Sequence, residues 1–182
     1  MPTPPATFSI EDLLGLAIRH VNAGQRDRAR QLCEQAVATY PPHPAVQQLL
    51  AVMALQDGDV TAATDLAATS LTLRPGHAPT VALAAEAWFQ RSLARHDEGD
   101  LTGEVNALRE VLRLSPERAE AEVNLGIALQ DGGAIDAAMH AYGRAYRLRE
   151  DTFGRIAHAL ATPNVGRLWL DLDALRAALR AA

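Results

Sequence analysis

Gly24 and Gly58 stand 34 residues apart, and the same interval separates Leu16 from Leu50, Ala29 from Ala63 and Pro41 from Pro75. A fixed period of this length decides the architecture, because so short a unit cannot bury its own apolar face and must stack on copies of itself. The period stretches once: Gly58 to Gly99 and Pro75 to Pro116 each span 41 residues. It returns to 34 between Gly99 and Gly133, and Leu50 to Leu125 is 75, so one unit carries seven extra residues.

The residues at the repeat positions have local reasons to be there. Gly24, Gly58, Gly99 and Gly133 each fit the end of a first helix, since glycine enters the left-handed conformation without a Cβ penalty. Pro41, Pro75 and Pro116 end the second helices, because proline cannot continue one and disfavours helix at the preceding residue. Ala17, Ala51 and Gly126, with Ala29, Ala63 and Ala138, are small where paired helices would cross closely. Alanine and leucine dominate and β-branched residues are sparse, so the chain reads as all-α.

This pattern predicts helices over 10–23, 26–39, 44–57, 60–73, 78–97, 101–114, 118–131 and 135–148. Ser9 with Asp12 forms a capping box for the first, Asp59 caps the fourth, and Pro44 and Pro79 suit first-turn positions. The seven extra residues fall before Gly99 and lengthen the first helix of the third unit by about two turns, or roughly 10 Å.

The last full unit, with Leu125-Gly126, Gly133, Ala138, Tyr142 and Ala145, resembles the tetratricopeptide repeat family, a 34-residue helix-turn-helix unit. The resemblance covers about residues 10 to 150 and draws its specificity from four units in phase. It departs from the family pattern at His20 and Cys33, where aromatics are common, and at Glu104, which replaces the small residue of the second helix. What it implies is a right-handed superhelix. Its expected organisation is a tail over 1–8, four units over 9–150 (10–43, 44–77, 78–118 with the insertion, and 119–150), and a cap with an apolar tail over 151–182.

In that family the first helix of each unit lines a concave binding groove. Carried over, the groove consists of Leu14, Ile18 and Val21, then Gln48, Val52 and Leu55, then Glu86 and Phe89, then Val123, Asn124, Ile127 and Gln130. Trp88, aligned with His20 and Ala54, and Tyr142 are expected between helices, with Phe89 and Ile127 partly open. Some family members hold a partner's C-terminal carboxylate with lysine, arginine and asparagine. Of that set only Asn124 is present at a comparable place, and the chain has no lysine, so carboxylate-clamp binding is disfavoured. A mostly apolar groove suits a helical or extended segment with leucine-like anchors.

Charge and chemistry narrow the function further. All 17 basic residues are arginine against 22 acidic ones, a net charge of -5 without a basic block, which excludes nucleic acid as the main partner. No apolar run approaches the roughly 20 residues of a spanning helix, and the first dozen residues lack the pattern of a signal peptide; a cytoplasmic chain is expected. The single Cys33 is read as a small core residue. His20, His43, His77, His96, His140 and His158 are scattered, and no motif brings together a nucleophile and base or a metal-ligand set, so no catalytic residue, metal or cofactor is expected. The acidic turn His96-Asp97-Glu98-Gly99-Asp100 reads as a solvated helix end, and Asp171 and Asp173 as caps of a final helix.

Beyond the repeats, Phe153, Ile156, Ala157 and Leu160 recur at helical spacing and would cover the fourth unit. After a break at 162–166, Trp169, Leu172, Leu175 and Leu179 share one helical face. That face requires a cover. The tail either caps the preceding helix, fills the groove as a plug, or joins two copies as a homodimer arm. The expected function is a non-catalytic interaction module, an adaptor, scaffold or chaperone that binds another protein or peptide. The alternatives are an accessory subunit of an enzyme or secretion system, by analogy with small bacterial secretion chaperones, and a self-associating structural protein.

Overall fold

The computed structural model describes residues 8–161 and 172–182, and among these every regular element is helical. The helices are α1 (Ile10–Asn22), α2 (Arg26–Thr39), α3 (Pro44–Gln56), α4 (Val60–Leu73), α5 (Ala78–Asp97), α6 (Leu101–Leu114), α7 (Ala119–Asp131) and α8 (Ile135–Leu148). A 3-10 turn at Glu150–Thr152 leads into α9 (Phe153–Ala161), and α10 is Leu172–Ala181. The expected break at 162–166, together with Trp169 and Asp171, lies outside the described residues.

Helix ends follow the chemistry of the repeat. Ser9 accepts from the Asp12 amide at 3.1 Å while Asp12 accepts from the Ser9 amide at 3.1 Å, a complete capping box. Asp59 accepts from Ala62 N and Asp100 from Gly103 N, each at 2.9 Å, which satisfies free donors of α4 and α6. Gly24, Gly58, Gly99 and Gly133 turn the chain with φ between +71° and +80°. At Gly99 nothing lies near an added Cβ, so only the backbone resists a side chain there. Gly99→Ala should therefore cost about 1 kcal/mol by the αL penalty alone, read as a lower urea midpoint with an unchanged slope.

The seven-residue insertion is absorbed as helix. α5 has 20 residues where α1, α3 and α7 have 13. Seven residues fall about 20° short of two whole turns, so both ends of the inserted stretch present nearly the same face.

The molecule divides into two compact units, Met1–Ala87 and Trp88–Ala182, with the division inside α5. In the first, α1, α2 and α3 enclose Leu13, Ala17, Ala29, Cys33, Ala36, Val46, Leu50 and Met53. Ala17, Ala29, Ala51 and Ala63 have no exposed surface, as expected of residues where helices approach closely. Burial pushes the Cys33 thiol up to about 11, which keeps it protonated and unreactive at neutral pH.

In the second unit, α7, α8, α9 and α10 share a core of Val123, Ala138, Tyr142, Ala145, Tyr146, Ile156, Leu160, Leu175 and Leu179. Tyr142 fills the place where α7 has only Gly126: a Cβ on that glycine would lie 2.3 Å from the ring. Arg144 Nε and Nη2 reach the buried Glu122 carboxylate at 2.6 and 2.9 Å, a bidentate tie between α8 and α7.

α10 rests on α8. Gly143 permits the approach, since a Cβ there would come within 2.9 Å of the Leu179 carbonyl oxygen. Arg147 Nη1 donates to that carbonyl at 3.3 Å, and His140 Nδ1 lies 2.9 Å from the Ala182 oxygen. Leu175 and Leu179 are buried as their spacing predicts, whereas Leu172 is 51% exposed. Asp173 sits in the first turn of α10 and pairs with Arg176 at 2.8 Å.

Candidate functional site

The first helices carry a recurrent apolar position. Ile18, Val52, Leu93 and Ile127 follow the intervals 34, 41 and 34, and each keeps part of its side chain open to solvent. Ile18 is 45% and Leu93 38% exposed.

Within the first unit, Leu14 and Val21 pack against the α1–α2–α3 core and are partly buried. Leu55 rests on Ala54, Ala63 and Ala87, and Val52 and Glu86 are partly buried. Gln48 Oε1 accepts from Thr80 Oγ1 at 3.0 Å, so its amide oxygen is engaged within the unit.

Within the second unit the expected residues separate. Phe89 and Ile127 are partly open, and the Arg118 guanidinium lies 3.8 Å from the centre of the Phe89 ring, a cation–π contact that covers one face. Trp88 packs against the core of α6 and α7 but stays partly open, under Arg91, whereas Tyr142 is fully enclosed. Asn124 Oδ1 accepts from Arg155 Nη2 at 2.9 Å.

Val123 and Gln130 depart from expectation. Val123 has no exposed surface and belongs to the core beneath α9 and α10. Gln130 is 3% exposed; its Nε2 donates to the Ala159 carbonyl at 2.9 Å and its Oε1 accepts from Tyr142 Oη at 3.0 Å. Both are interior because α9 covers the face of α7 that a further repeat would cover.

A pocket of about 190 Å³ lies where α5, α6 and α7 meet, lined by Leu93, His96, Glu104, Asn124 and Ile127. Its floor is the departure at Glu104. Where the other second helices place Ala29, Ala63 and Ala138, α6 places a carboxylate whose side chain is only 8% exposed. His96 Nδ1 lies 3.1 Å from Glu104 Oε2, and the imidazole itself is 56% exposed. Burial raises the Glu104 pKa from its ordinary value; His96 acts in the opposite sense, and Asp131 adds to the rise. The arginines nearby are engaged elsewhere, Arg95 with Glu98 at 2.9 Å and Asp100 at 3.4 Å, Arg155 with Asn124.

The insertion kept Leu93 and His96 out of the groove expected from the sequence. Aligned from the start of α5, the third unit presents Glu86 and Phe89; aligned from Gly99, it presents Leu93 and His96. Since the inserted seven residues nearly repeat the face, both pairs belong to it. Among the described residues, no three of histidine, cysteine, aspartate or glutamate gather as a metal-ligand group, and no helix is long and apolar enough to cross a membrane.

The chain has a measurable likeness to known proteins. Tetratricopeptide repeat profiles match residues 14–78 and 105–154, and a second such profile matches 85–118. No curated protein matches it in sequence. Among solved structures, a crystal structure of MamA is 19% identical, with 79% of this chain and 80% of that one covered at a TM-score of 0.54. A MamA RS-1 double mutant is 14% identical, with coverage of 93% and 89% and a TM-score of 0.60. A thermophilic TPR protein of Thermus thermophilus is 21% identical, with coverage of 83% and 81% and a TM-score of 0.45. At these identities the likeness to the two MamA structures is one of fold. The phased glycines, the small residues at the helix crossings and the profile matches over most of the sequence lead to one statement: the chain belongs to the tetratricopeptide repeat family.

Proposed function

We propose that this protein is a non-catalytic interaction module, an adaptor, scaffold or chaperone, that holds an apolar helical or extended segment of another protein against its first helices. The supporting observation is the recurrence of partly open apolar residues at one repeat position, Ile18, Val52, Leu93 and Ile127. Phe89 and Asn124 flank that position in the second unit, and Leu14, Val21, Gln48, Leu55 and Glu86 in the first. Val123 and Gln130 support the surface from within. The proposed frame is four units over 9–150, acting in the cytoplasm and followed by a capping segment.

Affinity capture with the full chain, followed by identification of the bound protein and measurement of its Kd, tests this reading. Phe89→Ala should weaken binding by about tenfold, because aromatic residues often anchor interfaces, and should leave the far-UV circular dichroism unchanged. An unchanged Kd removes the Phe89 face from the binding surface. Self-association through residues 163–182 is the second reading, and the seat of Leu175 and Leu179 on α8 of the same chain speaks against it. A role as accessory subunit of an enzyme or secretion system uses the same surface and differs only in the protein captured.

A further inference from the structure

We infer that the pocket between α5, α6 and α7 takes the cationic side chain of the bound protein, an arginine or lysine, with its stem between Leu93 and Ile127 and its head on the Glu104 carboxylate. This deepens the interaction-module reading and rests on it. A buried carboxylate is costly unless it is paired and hydrogen-bonded. Among the described residues the Glu104 carboxylate has one hydrogen-bond partner, the solvent-exposed His96, held through Oε2 alone. Arg95 is held by Glu98 and Asp100, and Arg155 by Asn124.

The volume and the lining agree on the class of occupant. About 190 Å³ is below the roughly 300–1,000 Å³ of cofactor and drug-sized sites, and it suits one side chain. Apolar walls with a polar end match long basic residues, which lay their methylene stems on apolar surface and keep the charge at the tip. The substitution of glutamate at a position where three other units use alanine places that charge in the pocket and nowhere else in the repeat.

Methyl NMR of the full chain tests the assignment with two probes, the peptide Ac-Ala-Leu-Arg-Leu-Ala-amide and the same peptide with neutral citrulline in place of arginine. The arginine peptide should shift the Leu93 and Ile127 methyls and the Asn124 side-chain amide saturably, with the citrulline peptide bound about tenfold or more weakly. Glu104→Gln, nearly the same size, should reduce the arginine peptide to the citrulline level and leave the citrulline peptide unaffected. Equal binding of the two peptides, or a preference for arginine that survives Glu104→Gln, overturns the assignment. If both bind equally and Phe89→Ala weakens both, the interaction surface stands and the cationic anchor falls. If neither moves these groups, the anchor falls, and the captured partner's response to Phe89→Ala decides the surface separately.

Discussion

Tyr142→Ala should destabilise the protein by about 3–5 kcal/mol, a large share of the stability of an ordinary domain. The side chain has no exposed surface, and its ring occupies the space left by Gly126 on the facing helix. Neither α7 nor α8 can close the resulting cavity easily, because Arg144 and Glu122 fix their separation. Tyr142→Phe isolates the hydroxyl, which donates to Gln130 Oε1, and should cost about 1 kcal/mol. The reciprocal change, Gly126→Ala, forces a methyl into the ring and should cost about 1–3 kcal/mol despite better helix propensity. Urea unfolding measures all three. A Tyr142→Ala loss below about 1 kcal/mol would show that the ring is not the packing element of this helix pair.

The pairing of Gly126 with Tyr142 also marks how far the sequence could be read. Helix ends were legible because they depend on local chemistry: the Ser9–Asp12 box, the Asp59 cap and the left-handed glycines require only their neighbours in sequence. Small residues at helix crossings were legible because the period repeats them. Val123 and Gln130 were misplaced because their burial depends on α9, and helical periodicity does not separate a groove residue from one covered by a later segment. Glu104 stood out as a departure from the repeat, but its meaning needed the third dimension, where His96, Asn124 and Ile127 come from two other helices. The insertion hid Leu93 and His96 for a geometric reason, since a near-whole number of turns makes two alignments equally good.

Leu179→Ala should cost about 2–5 kcal/mol, and the dependence of that loss on protein concentration separates a cap from an arm. Leu179 is fully buried beside Leu175, Tyr146 and Ile156. The Arg180 guanidinium lies over Tyr146, and the close approach at Gly143 leaves no room for a side chain under the end of α10. Gly143→Ala should therefore loosen the same contact from the opposite helix without altering a leucine side chain, since the nearest clashing atom is the Leu179 carbonyl oxygen. If α10 docks on α8 of its own chain, the melting temperatures of the wild type and both variants are independent of concentration, because no association is linked to folding. If the tail reaches a second copy, the wild-type melting temperature rises with concentration and Gly143→Ala lowers the solution mass. The geometry of α8 and α10 within one chain predicts the first result: a solution mass that neither substitution changes, and a loss of stability that does not change across a hundredfold range of concentration.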